Sequence, residues 1–234
     1  MTRTIFAAVI ATALSTSAAF ANDWSGPYAG VSLNAGMFNS ETTDHWCYVA
    51  CDGASLAEFG AGAGIAGGYD VQMNEFVFGV VADYTFTNFE TVNEHEDVTA
   101  PVNYTSYTES TWDGMLTLRA RAGLAVDNTL VYATGGVAFV DVNYRHDYDA
   151  GPVAENEGFE PYSDIEVGFA AGAGVEHKFN DLYSVSAEYL YVGLQSSDGG
   201  EYYNDLDDLD SPSDGTADYR SSAHMLRLAV NYRF

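Results

Sequence analysis

Residues 76–86 read FVFGVVADYTF, and this segment decides the fold. Every second residue from Phe76 to Phe86 is apolar or aromatic, whereas the positions between them include Gly79 and Asp83. An alternation with a period of two predicts a β-strand with one apolar face and one polar face.

The same alternation recurs in seven other segments. They begin near Pro27, Phe59, Thr111, Leu130, Ile165, Tyr183 and Leu226. Short links near residues 72–75, 126–128 and 179–181 alternate with long polar links near residues 38–57, 88–110, 145–162 and 195–218. This asymmetry is typical of outer-membrane barrels. The sequence therefore predicts an all-β fold, an eight-stranded antiparallel up-and-down transmembrane β-barrel with short periplasmic turns, four long external loops and periplasmic termini.

The two strand faces support a membrane barrel over a soluble one. The apolar face is predicted to contact lipid, with aromatic residues near its ends: Phe76, Tyr84, Phe86, Trp112, Tyr189, Tyr191 and Tyr232. The opposite face is mainly Gly, Ser, Thr and charged residues, too small and polar to fill the core of a water-soluble barrel. Residues 130–144 are apolar on both faces, which leaves the orientation of this fifth strand open. The Gly135–Gly136 pair within it predicts a bulge.

The N-terminal segment predicts export. It begins with a basic residue, Arg3, continues with an apolar run at residues 5–14 and ends in Ala19-Phe20-Ala21. This is the pattern of a secretory signal peptide. The apolar run is shorter than the roughly 20 residues that a membrane-spanning helix needs. We expect residues 1–21 to be cleaved and residues 22–234 to form one barrel domain.

Charge is strongly unbalanced, with 34 acidic and eight basic residues and a formal net charge of −26. Such a surface repels nucleic acid, so that class of partner is excluded. Residues 195–218 contain eight acidic residues and no basic one. A solvated acidic loop is the favoured interpretation, and capture of a hard divalent cation is the alternative.

Four charged residues on the polar faces lie seven or eight positions from a predicted short turn or from the C-terminus. They are Asp83, Arg119, Glu188 and Arg227, with Arg121 just below Arg119. An eight-stranded barrel has room inside for side chains and little more, and buried charges must be paired. The spacing predicts an interior salt-bridge layer that plugs the lumen. A gated ion path is the alternative.

Cysteines and histidines mark predicted loops. Cys47 and Cys51 are the only two cysteines, and in an oxidising compartment they are expected to form a disulfide. His45, His95 and His146 fall in three different predicted loops beside acidic residues. If the loops converge, these side chains could bind a transition metal or a heme iron; solvated loop histidines are the alternative.

Several segments carry a resemblance to a known family. They are WSGPYAG at residues 24–30, FGVVADY at 78–84, LVYATGGVA at 130–138 and AEYLYV at 187–192. They resemble the small alphaproteobacterial outer-membrane proteins, the OmpA-like β-barrel or "porin family" surface proteins that include surface antigens and hemin-binding members. The C-terminal strand ending in Phe234 resembles the strand that such barrels present to the barrel assembly machinery. The resemblance implies the outer membrane of a Gram-negative bacterium and contact with its lipid and lipopolysaccharide.

Function follows less directly from the sequence. No spacing singles out a nucleophile with its base, so we expect no enzymatic activity. The favoured role is a non-enzymatic barrel, without a cofactor, that contributes to envelope integrity and surface interaction, including contact with host or cell-surface ligands. A narrow porin-like channel or a surface receptor for hemin or metal is the alternative.

Overall fold

The computed structural model describes residues 23–44, 55–97, 104–149, 162–194 and 217–234. Eight strands make up the fold: β1 (Gly26–Asp44), β2 (Ser55–Met73), β3 (Phe76–Asp97), β4 (Tyr104–Val126), β5 (Thr129–Asp149), β6 (Tyr162–Lys178), β7 (Tyr183–Leu194) and β8 (Ala217–Arg233). Each pairs antiparallel with its neighbours in sequence, and β1 pairs with β8 to close the barrel. The predicted eight-stranded antiparallel barrel is confirmed. Within the described residues, no helix is long and apolar enough to cross a membrane.

The three predicted short turns lie at the same end as both described termini. Two of them are two-residue links, because Met73 pairs with Phe76 and Val126 pairs with Thr129. Each begins with a residue at positive φ, Asn74 at 57° and Asp127 at 51°. Asn and Asp tolerate this conformation better than most residues, which explains why they stand there. We call this end of the barrel the turn end and the opposite end the loop end.

The strands are longer than the sequence predicts. β3 continues to Asp97 and β4 begins at Tyr104, so both strands include residues that were predicted to form a loop. The eight strands have 12 to 23 residues. A tilted strand needs only about 9–11 residues to cross the hydrocarbon layer. Beyond that layer the outer face of a strand no longer contacts lipid, so the apolar alternation can end while the backbone ladder continues. The loop boundaries predicted at 38–57, 88–110, 145–162 and 195–218 are therefore wrong at their edges.

The outer surface is apolar along the middle of the barrel. Leu33, Val80 and Leu226 are each more than 60% exposed in the isolated chain. This exposure is expected of side chains that contact lipid in the membrane. The register also orients β5, which the sequence left open. Its residues Leu130, Tyr132, Ala138, Val140 and Val142 are buried in the lumen, and Val131 and Val137 are exposed outside.

Two irregularities in β3 and β4 correct the predicted faces. Pairing of β3 with β4 shifts between Phe86 and Phe89, and pairing of β4 with β5 shifts between Trp112 and Gly114. An extra residue at a bulge reverses the alternation beyond it. Trp112, predicted on the lipid face, is consequently 1% exposed inside the lumen. The bulge predicted at Gly135–Gly136 is wrong, because the ladder runs through this pair without a shift.

Candidate functional site: the barrel lumen

A first set of buried charges crosses the middle of the lumen. Arg119 on β4 forms ion pairs with Asp83 on β3, at 2.8 Å, and with Glu188 on β7. Arg227 on β8 lies 2.7 Å from the other oxygen of Asp83. All four side chains are at most 8% exposed. The structure thus brings together four of the five charged residues named from the sequence, and we call this set the loop-side ionic layer.

Neutral groups complete the hydrogen bonding of the loop-side ionic layer. The Thr117 hydroxyl donates to Asp83 Oδ2 at 2.5 Å and accepts from Arg119 Nε at 3.0 Å. Arg227 donates to Asn34 Oδ1 at 2.8 Å and to the Thr85 hydroxyl at 3.0 Å. A buried charge is tolerated when its remaining donors and acceptors are satisfied, and these contacts meet that condition.

A second set of charges lies nearer the turn end. Arg121, the fifth residue named from the sequence, belongs to this set. It pairs with Glu176 on β6 and lies 3.3 Å from Asp70 on β2. Arg233 on β8 reaches the same two carboxylates at 2.9 and 3.2 Å. We call Asp70, Arg121, Glu176 and Arg233 the turn-side ionic layer.

Sequence reasoning missed three members of the turn-side ionic layer. Asp70, Glu176 and Arg233 stand on the predicted polar faces of their strands, and that position was the available signal. Counting residues from the turns grouped only charges at one depth, seven or eight positions above the turn end. The second layer lies below that depth and so escaped the count.

Aromatic rings enclose the guanidinium groups of the turn-side ionic layer. The Arg121 guanidinium carbon lies 3.9 Å from the Tyr132 ring centroid and 5.7 Å from that of Tyr28. Arg233 lies 5.0 Å from Tyr28 and 4.6 Å from Trp24. Cations away from bulk water are stabilised by such ring faces. Both cations are therefore held by carboxylates and rings together.

Glycines make room for the long charged side chains. A Cβ atom at Gly79 would lie 2.1 Å from Asp70 Oδ1, and one at Gly172 would lie 2.8 Å from Glu188 Oε1. At Gly136 a Cβ would lie 2.0 Å from the Leu118 carbonyl oxygen and 2.7 Å from the Arg119 Cα. The glycines on the inner face thus set the space that the ionic layers fill.

Above the ionic layers, toward the loop end, the lumen is filled by apolar side chains. Its aromatic centre is Phe38, Phe89 and Trp112, with ring centroids 4.7 to 6.4 Å apart. The full cluster, which we call the apolar plug, also contains Met115, Ala138, Val140, Val142, Ala170, Leu190, Val192, Leu194, Ala223 and Met225. The sequence did not reveal the apolar plug, because Phe38 and Phe89 lie in predicted loops and a bulge turns Trp112 inward.

A small cavity lies beside both ionic layers. It has a volume of about 40 Å³ and is lined by residues that include Arg119, Arg121, Glu176 and Glu188. This is room for a few water molecules. It is therefore a gap between paired charges and far smaller than an aqueous pore.

Other predicted sites lie wholly or partly outside the described residues. The signal peptide at 1–21, His45, the Cys47–Cys51 disulfide and the acidic residues at 195–216 fall in segments that the structure does not describe. The prediction that His95 and His146 stand in loops is wrong, because both belong to strands, β3 and β5. Among the described side chains, no three His, Cys, Asp or Glu are grouped to hold a metal ion.

The C-terminal Phe234 lies at the turn end. Its amide donates to the Pro27 carbonyl at 3.1 Å, and its ring meets the Tyr232 ring edge to face at 4.9 Å between centroids. The ring is 67% exposed on the outer surface. Its recognition by the assembly machinery stays a prediction.

A family model described as an outer membrane protein beta-barrel domain matches residues 4–234. The 31 kDa outer-membrane immunogenic protein of Brucella melitensis is 28% identical over 186 residues, which cover 73% of this chain and 71% of that protein. The 22 kDa outer membrane protein of Rhizobium leguminosarum bv. viciae is 27% identical over 178 residues, which cover 76% of this chain and 68% of that protein. The resemblance to alphaproteobacterial outer-membrane proteins is confirmed.

Among solved structures, the outer membrane protease OmpT of Escherichia coli has a TM-score of 0.51 at 8% identity. The similarity covers 94% of this chain and 99% of that one. At this identity the likeness concerns the fold alone.

Proposed function

Because the chain belongs to the outer membrane protein beta-barrel domain family, we propose that it is a non-enzymatic barrel that contributes to envelope integrity and to interactions at the cell surface. Its family and its relatives place it in the outer membrane, where its apolar belt contacts lipid. The observation that carries the proposal is the filled lumen.

Two kinds of filling block the lumen in series. A permeating ion would have to separate the paired charges of Arg119, Asp83 and Glu188, each of which is buried. It would then have to pass the aromatic centre of the apolar plug, where Phe38 and Trp112 are at most 1% exposed. Moving a charge through such surroundings is costly, because no group there replaces its hydration. These contacts support an anchor rather than a transport protein.

The distribution of charge supports a role for the outer surface. Of the eight basic residues in the chain, five lie in the lumen: Arg119, Arg121, Lys178, Arg227 and Arg233. Short turns face the periplasm in bacterial barrels, so the loop end faces outward. The loop-end segments are consequently rich in acidic residues with few basic ones, and we propose that they contact cationic groups on host or cell-surface ligands. The name of the Brucella relative, an immunogenic protein, supports surface presentation.

Planar-bilayer recordings of the refolded protein test the closed barrel. We expect insertion, verified by heat-modifiable migration on gels, without steady single-channel currents. As a cellular counterpart, deletion of the gene is expected to increase uptake of a hydrophobic fluorescent dye, and expression of the wild type should reverse this. Reproducible single-channel steps would contradict the closed lumen and favour the narrow-channel alternative.

A receptor for hemin or metal is a second candidate, supported by the strand register. His95 pairs with Ser106 and His146 pairs with Thr108, so two of the three predicted ligands stand on the strands that flank β4, two positions apart. We propose to titrate the refolded protein with hemin and to compare His95→Ala and His146→Ala. Lack of saturable binding by the wild type would eliminate this candidate.

A further inference from the structure

Trp24 precedes β1 and contacts residues around the turn end of the lumen. Its side chain is fully buried and forms one cluster with Val77 on β3 and Leu130 on β5. The Lys178 ammonium on β6 lies 4.5 Å from its ring centroid, and the Arg233 guanidinium on β8 lies 4.6 Å from it. The indole therefore belongs to a group of side chains from four strands, as expected of a ring that lies across the mouth.

The backbone around Trp24 is tied to three strands as well. The Trp24 amide donates to Gln72 Oε1 at 2.8 Å, and the Gln72 amide donates to the Ser25 hydroxyl at 3.0 Å. Arg233 donates to the Trp24 carbonyl at 2.8 Å, and the Lys178 ammonium donates to the Asp23 carbonyl. Residues 23–25 are thus fastened to β2, β6 and β8 although they belong to no strand.

Gly26 allows the chain to turn from this segment into β1. Its φ of 124° lies in a region that residues with a side chain rarely adopt. Space is not the constraint, since the nearest atom to a Cβ placed there is the Phe234 carbonyl oxygen at 3.6 Å. The turn therefore explains Gly26 in the WSGPYAG motif. The turn also places Trp24 of the same motif over the mouth of the lumen.

Lys178 depends on the same segment. It is 6% exposed, and among the described residues its contacts are the Asp23 carbonyl and the Trp24 ring rather than an ion pair with a carboxylate. A buried ammonium that forms no direct ion pair relies on such contacts for its stabilisation. Displacement of the segment would expose this cation to water, with Arg233 beside it.

We propose that Asp23–Ser25 is a latch that seals the turn end of the lumen and locks the first strand to the last. When the latch is released, the mouth presents Lys178 and Arg233 and admits small anions to the turn-side ionic layer. The apolar plug still blocks the loop end, so the opened lumen is a blind chamber. This goes beyond the proposed function, which requires a closed lumen but does not say what closes its turn end.

Thiol reactivity inside the lumen tests the latch. Ser186 lines the cavity and pairs with Glu176 in the strand register, so it lies at the depth of the turn-side ionic layer. Serine differs from cysteine by one atom, so Ser186→Cys is made in a Cys47→Ser, Cys51→Ser background. Reaction with an anionic and a cationic methanethiosulfonate reagent is followed by mass spectrometry. We expect slow reaction with the native latch and about tenfold faster reaction after Trp24→Ala, because the site then opens to solvent. The anionic reagent should react faster than the cationic one.

Two controls make the result specific. Trp24→Phe keeps a ring in the mouth and should remain slow. Trp112→Ala at the apolar plug should also remain slow, because the loop-side ionic layer still separates the plug from Ser186. If Trp24→Ala does not regain heat-modifiable migration, Gln72→Ala combined with Ser25→Ala removes both ties to β2 and is expected to accelerate labelling in the same direction. Equal rates with and without the native latch, or faster labelling by the cationic reagent, would overturn the proposal.

The outcome is separable from that of the closed-lumen proposal. Single-channel currents from the wild type would contradict the closed lumen, whereas unchanged thiol reactivity in the latch variants would contradict the latch alone.

Discussion

The two halves of the lumen close the same tube with opposite chemistry. In the turn-end half, Arg119 and Arg121 each reach two carboxylates. Each ion pair requires one guanidinium nitrogen to lie close to one carboxylate oxygen. In the loop-end half, Phe38, Phe89 and Trp112 fill space without a charge or a directional bond. An ionic layer is sensitive to the loss of one partner, because the other is left as a buried charge. An apolar cluster is sensitive mainly to the volume removed.

The loss of a central guanidinium should have the largest effect. Arg119→Met leaves Asp83 and Glu188 without their shared partner, and we expect a decrease in the free energy of unfolding of about 3–5 kcal/mol. Urea unfolding of the protein refolded in lipid vesicles, followed by tryptophan fluorescence, measures this. A change near zero would mean that the layer is hydrated and that the ion pairs contribute little.

A double-mutant cycle checks the assignment of that effect. If Arg119 and Glu188 act as a pair, the effect of Arg119→Met should be smaller in a Glu188→Ala background than in the wild type. Glu188 is the carboxylate that Arg119→Met leaves without an ion pair, whereas Asp83 keeps Arg227. Additive effects would contradict the pairing of these two side chains.

In the apolar plug, Trp112→Ala should have a somewhat smaller effect, about 3 kcal/mol, because it removes volume without stranding a charge. Trp112→Phe is the matched control and should recover most of the loss. The same unfolding measurement applies. Since Trp112 and Arg119 lie far apart along β4 and share no partner, their effects should add to within about 0.5 kcal/mol. Strong coupling between them would show that the two halves are not independent.

Neighbouring glycines give the smallest and most local test. At Gly136 an added methyl group would meet the Leu118 carbonyl and the Arg119 backbone, whereas at Gly135 it would meet nothing within 4 Å. We expect Gly136→Ala to destabilise the barrel by about 1–3 kcal/mol, as overpacking does, and Gly135→Ala to change the stability little. The unfolding midpoints of the two variants in urea provide the comparison. Equal midpoints would show that Arg119 can shift without cost.

Much of the barrel could be predicted because it follows local rules. Strand number, antiparallel order and the position of the three turns depend on the alternation of residues such as Phe76 to Phe86 and on the short links between segments. The inward position of Asp83, Arg119, Glu188 and Arg227 follows from the same alternation. A charged residue on the lipid face is costly, so the alternation also indicates which face meets lipid.

Other features depended on how the strands align with one another. The bulge near Trp112 reverses the inner and outer faces of β4, and its position is set by pairing with β5 rather than by any local pattern. β3 ends at Asp97 and β4 begins at Tyr104, in segments where the apolar alternation that predicts a strand is absent from the sequence.

The sequence by itself determined an eight-stranded membrane barrel with charges inside it, because burial in lipid imposes a pattern on every strand. Only the tertiary structure decided which charges form which pairs, that a second ionic layer and an apolar plug complete the filling, and that Trp24 closes the turn end. These features join residues from strands far apart in the chain across a closed tube, and their contacts depend on register and tilt that no single segment specifies.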